Sequence, residues 1–154
     1  MKTFRNYFLE AQGETPSPVF NNQFDVKSLA VASKKNPRLV YIDSSMPRYD
    51  ERLKCTNGKT ADLWKYLGIH ELTERNVMAQ GTSYLVAHTN YATPAERDAV
   101  EADCGKAGWK KYTEILDGFI DHVEHKPIKS PPPDPHVDPN AAVGHHRSSH
   151  KKGT

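Results

Sequence analysis

Apolar runs alternate with polar segments along the first 125 residues and are missing from the end of the chain. Residues 37–43 and 83–89 each hold a short apolar run with β-favouring side chains, which predicts two buried strands. Between residues 109 and 125, aromatic and aliphatic residues recur at helical spacing. This pattern predicts an amphipathic helix, with Gly118 as its weak point.

Capping and turn residues mark the remaining elements. Residues 93–96 combine a capping Thr, a Pro at the first helical position and a Glu three residues after the cap, so they predict the start of a helix that ends at Gly105. Residues 60–68 and 72–79 predict two shorter helices, and residues 24–33 fit either a strand or a short helix. The expected fold is a small single domain of the α/β or α+β class, with a few strands and about four helices.

Composition changes at residue 126 and divides the chain. Beyond this point there is no Leu and no aromatic residue, while Pro, His and Ser are frequent. Such a segment cannot bury enough apolar area to offset the entropy lost on ordering. We therefore expect a short N-terminal helix or leader at 1–12, a linker at 13–23, a globular domain at 24–125 and a disordered tail at 126–154.

The basic excess of the chain lies in this tail. The formal net charge is only +2, and the tail holds five Lys and Arg residues against two Asp residues. The composition favours a solubilising tail without a partner, and weak binding of the flexible basic tail to nucleic acid is the alternative. The cationic residues are Lys126, Lys129, Arg147, Lys151 and Lys152.

Several classes of protein find no support in the sequence. Cys55 and Cys104 are isolated and do not have metal-binding spacing, which favours free thiols in a reducing compartment. No apolar run reaches the length of a membrane span, and no apolar h-region of a secretory signal peptide is present. The phosphate-binding, dinucleotide, nucleophile-elbow and H-E-x-x-H motifs are also absent.

The first eleven residues carry a recognisable pattern. Met-Lys-Thr is followed by aromatic residues at Phe4, Tyr7 and Phe8, and then by Glu10 and Ala11. This segment resembles the capsid-targeting leader of the internal head proteins of T-even-type bacteriophages. In that family a prohead protease cuts after the Glu, so the resemblance implies a cut between Glu10 and Ala11. Phe8 stands where the protease usually has Ile or Leu.

The leader resemblance implies a function that is not enzymatic. It suggests a phage-encoded protein that is packaged in the capsid interior, or acts in the host cytoplasm, and binds a host or viral protein during host takeover. No cofactor is expected for such a role. A divalent metal is the one cofactor for which the sequence offers candidate ligands.

Two candidate sites point to chemistry instead. Asp43 and His88 each end a predicted strand, where ligands collect in open α/β sheets. His88 could shuttle a proton with Asp43 orienting it, as in a small phosphoesterase or nucleotide-handling enzyme. Separately, Asp117, Asp121 and His125 share one face of the last predicted helix and could hold a metal. The alternatives are a histidine satisfied at a sheet edge and a solvated acidic helix face.

Overall fold

The computed structural model describes residues 17–139, and the N-terminal half of this region forms two small sheets. The first sheet has the strand order β1-β3-β2, with β1 parallel and β2 antiparallel to the central β3. The second sheet is an antiparallel hairpin of β4 and β5. The strands are β1 (Val19–Asn21), β2 (Ala30–Ala32), β3 (Leu39–Ile42), β4 (Tyr49–Lys54) and β5 (Thr60–Asp62).

The central strand β3 confirms the prediction for residues 37–43. Val40, Tyr41 and Ile42 are all buried, because Val40 and Ile42 pack into the main core while Tyr41 packs into a smaller apolar cluster. A turn at residues 56–58 joins β4 to β5, and Gly58 adopts the positive φ of 86° that a tight turn requires. Strand β4 was not predicted, since only one of its six residues is buried.

Helix α1 (Leu63–Ala79) replaces the two short helices predicted for this region. Its first turn is capped by Asp62, whose side chain accepts a hydrogen bond from the backbone N–H of Lys65. Gly68 does not end the helix. A Cβ at this position would lie 3.0 Å from Cε1 of Phe20, so the glycine lets β1 pack closely against α1.

The strand predicted at 83–89 is helical. Helix α2 (Tyr84–Val86) begins after Ser83 and continues through a π-helical segment (Ala87–Ala92) into α3 (Thr93–Cys104). Thr93 is therefore inside a helical run and not its cap. Pro94 explains the wide turns before it, because an α-helical turn would press its ring against the carbonyl four residues earlier. The π-helical turns relieve that conflict.

Helix α4 (Lys106–Glu124) confirms the predicted amphipathic helix. Gly105 is the N-cap of α4, and its φ of 77° allows the sharp turn from α3. Its apolar face packs with α1, β3 and β4 into the main core. The fully buried residues of α4 in this core include Tyr112, Ile115, Leu116, Ile120 and Val123. No helix within residues 17–139 is long and apolar enough to cross a membrane.

Residues 126–139, which we call the C-terminal strap, pack against the domain up to the end of the described region. The backbone N–H of His136 donates to Ala32, and that of Lys34 donates to Asp134. The strap thus extends the first sheet beyond β2. The strap continues the packed structure beyond the predicted boundary at residue 125, and both hydrogen bonds and the packing of Val137 on a smaller apolar cluster hold it in place.

The described residues form a single small domain with mixed strands and helices of the α+β class. Three sequence predictions lie outside these residues. They are the N-terminal helix, the cut between Glu10 and Ala11, and the basic tail residues Arg147, Lys151 and Lys152.

Candidate metal centre

A cluster of ionisable side chains is buried between α1, the π-helical segment, α3 and the strap. Each of its side chains is at most 5% exposed. Ionisable groups are seldom buried at this density in a small domain, because each one loses its hydration. Clusters of this kind occur often at functional sites. The members of this His–Glu cluster are His70, Glu71, Glu74, His88, Glu96 and His136.

The three residues from α1 are brought together by helical spacing. His70 and Glu74 are four residues apart and project from the same face, while Glu71 lies next to them. The π-helical segment adds His88, and α3 adds Glu96. Local sequence fixes the first three positions, and tertiary packing brings the others to them.

Three ligand atoms converge at the centre of the cluster. Nε2 of His70 lies 2.9 Å from Nδ1 of His88, and Oε2 of Glu74 lies 3.3 Å and 3.1 Å from these nitrogens. Ligands about 2.1 Å from a tetrahedral zinc ion are roughly 3.4 Å apart, and those of an octahedral ion are roughly 3.0 Å apart. The observed triangle has this size. Two imidazole nitrogens and one carboxylate oxygen stand at the corners of this triangle and form a facial ligand set.

Glu96 fixes the orientation of His70. Its Oε1 lies 2.8 Å from Nδ1 of His70, and its Oε2 accepts a hydrogen bond of 2.5 Å from the hydroxyl of Tyr112. If Nδ1 carries the proton donated to Glu96, Nε2 presents its lone pair to His88 and Glu74. Carboxylates hold metal-ligating histidines in this way in known metal sites.

The π-helical segment determines where His88 points. Such segments are rare and occur frequently at functional sites, because the extra residue in the turn redirects a side chain. Here His88 is fully buried and stacks on Tyr84, with ring centroids 5.6 Å apart and an interplanar angle of 21°. An α-helical turn would have carried the imidazole around the helix, away from its present direction.

A second group of ligand atoms adjoins the first. Nε2 of His136 lies 3.0 Å from Oε1 of Glu74 and 4.0 Å from Oε2 of Glu71. The two carboxylate oxygens of Glu74 therefore face different histidines. The three residues of each group bring ligand atoms within 4.8 Å of one another.

The buried charges shift the pKa values of the cluster strongly. Burial would raise the pKa of Glu74, but the three surrounding histidines lower it well below its usual range. Burial and the adjacent charge of Glu74 raise the pKa of Glu71 to about 7. Burial lowers the pKa of His88, whereas the nearby carboxylates outweigh burial and raise that of His70 well above its usual value. Glu71 and Glu74 likewise raise the pKa of His136 to about 9 against the effect of burial.

A cleft of about 410 Å³ opens beside the strap. His136, Lys27 and Asp138 belong to its lining, together with several prolines of the strap. His136 thus belongs both to the buried cluster and to the wall of this cleft. Among the cluster residues, His136 alone belongs to the lining of this cleft.

The structure does not join Asp43 to His88. Asp43 follows β3 as predicted, but it accepts hydrogen bonds from Ser45 and from the backbone N–H of Val26, and it pairs with Lys126 at 3.0 Å. These described contacts satisfy the carboxylate and leave no hydrogen bond between Asp43 and His88. His88 lies on a helix and not at a strand end, so the predicted strand-end arrangement of this pair is absent from the described residues.

The acidic face of α4 remains separate from the cluster. Asp121 and His125 are exposed, and Nδ1 of His125 donates a hydrogen bond to the backbone carbonyl of Asp121 at 2.8 Å. Within residues 17–139, the groups with converging metal ligands do not include these residues or Asp117. The metal site predicted on α4 is not assembled in the described structure.

Two residues of the predicted basic tail lie in the strap. The ammonium group of Lys126 is 3.0 Å from both Asp25 and Asp43, so acidic neighbours balance its charge. Lys129 is exposed and its backbone N–H donates to Asp25. Nucleic-acid binding through the tail stays a prediction, and three of its five cationic residues lie beyond residue 139.

The His–Glu cluster was not predicted, although the sequence carries a signal for it. Residues 70–74 read H-E-x-x-E, which is the H-E-x-x-H pattern of zinc-binding helices with Glu in place of the second His. Placing a helix end at Gly68 and a new helix at residue 72 separated His70 from Glu74. Placing His88 on a strand removed the third ligand. The pattern is visible once α1 is continuous.

Comparisons with protein families, with curated proteins and with solved structures find no match for this chain. No relative therefore supplies a ligand or a reaction by analogy. The functional conclusion rests on the geometry of the His–Glu cluster.

Proposed function

We propose that this chain is a metal-dependent hydrolase in which His70, Glu74 and His88 bind a zinc ion. The observation that carries the proposal is the convergence of three ligand atoms, two nitrogens and one oxygen, at mutual distances of 2.9 to 3.3 Å. Two histidines and one glutamate are the protein ligands of several hydrolytic zinc sites. Such sites keep a fourth position for water or substrate.

Zinc fits this set better than other common metals. Imidazole nitrogen and carboxylate oxygen are ligands that zinc accepts readily, and the spacing of His70 and Glu74 on one helix matches that of H-E-x-x-H helices. The same facial set also suits iron(II), which makes iron the competing assignment. A bound divalent ion supplies a nucleophile by lowering the pKa of its water.

The residues around the ligands supply the remaining requirements. Glu96 holds His70 in the orientation needed for binding, and Tyr112 holds Glu96. Burial excludes bulk water and strengthens the electrostatic interactions inside the site. We place the approach of an ester or amide substrate at the cleft beside the strap, because His136 belongs to both the cleft wall and the cluster.

Metal content of the purified full-length protein tests the metal assignment. We expect one zinc ion per chain to resist dialysis, and we expect the His88→Ala variant to lose it. The His125→Ala variant is the matched control, because His125 is exposed on α4 and belonged to the metal site first predicted from sequence. A wild-type protein that retains no zinc, iron or manganese would show that the cluster is only a buried ion-pair network.

Activity is tested separately from metal content. Bis(p-nitrophenyl) phosphate and a fluorogenic peptide library represent ester and amide substrates. Hydrolysis should disappear with EDTA, return with zinc and be absent in the His88→Ala variant. A metal-loaded protein that hydrolyses neither class would refute the assignment as a hydrolase and leave a metal-binding protein.

The leader resemblance supports a second proposal, which concerns location. We propose that the chain is carried in a phage capsid after cleavage between Glu10 and Ala11, and that it acts on or binds a host or viral partner. A packaged enzyme and a packaged binding protein are both consistent with this location. Mass spectrometry of purified virions should detect a peptide that begins at Ala11, and its absence from the particle would refute packaging.

A further inference from the structure

The nitrogen of one buried histidine has no hydrogen bond. The side chain of His136 is only 5% exposed, and its Nε2 lies 3.0 Å from Oε1 of Glu74 without the direction of a hydrogen bond. The ion pair with Glu74 balances charge, but a buried nitrogen without a directed hydrogen bond is rare in folded proteins. A metal ion that displaced the proton of His136 would bind this nitrogen and both neighbouring carboxylates.

The two carboxylates beside His136 also require compensation. Glu71 and Glu74 are buried side by side, and like charges in such a position oppose each other's ionisation. The first zinc site uses Oε2 of Glu74, but it leaves Oε1 and the carboxylate of Glu71 facing the strap. Two carboxylate oxygens and one imidazole nitrogen therefore surround one further position.

We propose that Glu71, Glu74 and His136 bind a second divalent cation, and that Glu74 bridges it to the first. The inference extends the proposed function, since it assumes an ion at His70 and His88. Paired metal ions in hydrolases are about 3.5–4 Å apart, a separation that one bridging carboxylate can span. The second set has more carboxylate oxygen than the first, which favours a harder ion such as Mn²⁺.

The strap is part of this second site. Asp134 fixes the strap to the first sheet, two residues before His136, by accepting hydrogen bonds from the hydroxyls of Ser33 and Tyr41. His136 is therefore held over Glu71 and Glu74 by contacts that do not involve the metal. The first site is complete without the strap, whereas the second site is not.

The number of Mn²⁺ ions bound per chain tests the proposal. Full-length protein is titrated with Mn²⁺ by calorimetry, and the bound metal is measured after gel filtration. We expect two ions in the wild type, one in His136→Ala, and two in His122→Ala, whose imidazole is exposed on α4. Because ions that share a carboxylate are magnetically coupled, the wild-type electron paramagnetic resonance spectrum should lose the six-line pattern of isolated Mn²⁺.

The outcomes separate this inference from the proposed function. A wild type that binds one Mn²⁺ with an uncoupled spectrum overturns the second site, while one retained zinc ion per chain would leave the hydrolase proposal standing. In that case Glu71 would be available as a proton acceptor. A wild type that binds neither zinc nor Mn²⁺ refutes both. If His136→Ala does not fold, the wild-type stoichiometry and spectrum still decide.

Discussion

Replacing Glu96 with Gln should weaken zinc binding without removing a ligand. Glu96 is fully buried and accepts hydrogen bonds from His70 and Tyr112. The Gln side chain has nearly the same shape and can keep an oxygen towards His70, while Tyr112 can rotate its hydroxyl to accept from the new amide. The substitution therefore removes a charge and preserves the packing.

The expected magnitude follows from the type of hydrogen bond. A hydrogen bond to a charged group contributes about 1.5–3 kcal/mol, and one between neutral groups contributes about 0.5–1.5 kcal/mol. The Glu96→Gln substitution should therefore reduce the free energy of zinc binding by about 1–1.5 kcal/mol. That difference corresponds to roughly a fivefold to tenfold weaker zinc affinity. It lies at the lower end of the roughly 10- to 100-fold effects seen when outer carboxylates of metal sites are replaced.

Competition with a chromophoric chelator measures this affinity directly. Glu101→Gln is the matched control, because Glu101 lies on the same helix and pairs with Arg97 at the surface, away from the cluster. It should leave the zinc affinity unchanged within about twofold. If Glu96→Gln binds zinc as tightly as the wild type, with an unchanged melting temperature of the metal-free protein, Glu96 does not orient His70.

Three further predictions concern the scaffold. A Cβ on Gly108 would lie 2.6 Å from a side chain of the preceding helix, whereas one on Gly118 would meet nothing within 4 Å. In urea unfolding, Gly108→Ala should therefore lose about 1–3 kcal/mol of stability and Gly118→Ala should gain about 0.5–1 kcal/mol; equal effects would contradict this packing. Lys126→Met removes the cation 3.0 Å from buried Asp43 and should lower the free energy of unfolding by about 1–3 kcal/mol in the same assay. Burial raises the pKa of Asp134, but its hydroxyl and backbone donors outweigh burial and lower it below 3.8. The ionised Asp134 therefore stabilises the fold above that pH, and this stabilisation is lost as the pH falls through the pKa of the folded state. In thermal melts at decreasing pH, the melting temperature of Asp134→Asn should fall less than that of the wild type.

Local patterns predicted the elements whose burial follows a simple period. Strand β3 is buried on both sides and reads as a continuous apolar run, and α4 carries its apolar residues at helical spacing. Gly105 ends α3 as expected, because its positive φ suits few other residues. These predictions needed no knowledge of distant neighbours.

The helical region around His88 could not be predicted from its own period. The π-helical turns bury Ala87, His88 and Ala92, and the large buried residue among them is a polar histidine, so no apolar period marks the inner face. The apolar run Tyr84-Leu85-Val86 then favoured a strand. It is in fact a solvent-facing helical turn, with Leu85 53% exposed.

The His–Glu cluster could not be predicted because the role of Gly68 depends on a tertiary contact. Gly68 is a common helix terminator, but here it is required by the close approach of Phe20 from β1. Only the tertiary contact distinguishes the two roles. The strap was missed because hydrogen bonds and one packed aliphatic residue, Val137, hold it, and these leave no periodic apolar pattern in the sequence.

The pairing of the strap with β2 also affects the tendency of this protein to aggregate. In the strand order β1-β3-β2, the outer side of β2 would be a free edge with unpaired backbone groups, which is the usual starting point for edge-to-edge aggregation. Residues 134–136 cover that edge through the Ser33–Pro135 bridge, and proline at the bridge has no N–H with which to recruit another strand. The segment that brings His136 to the cluster therefore also keeps the sheet from growing.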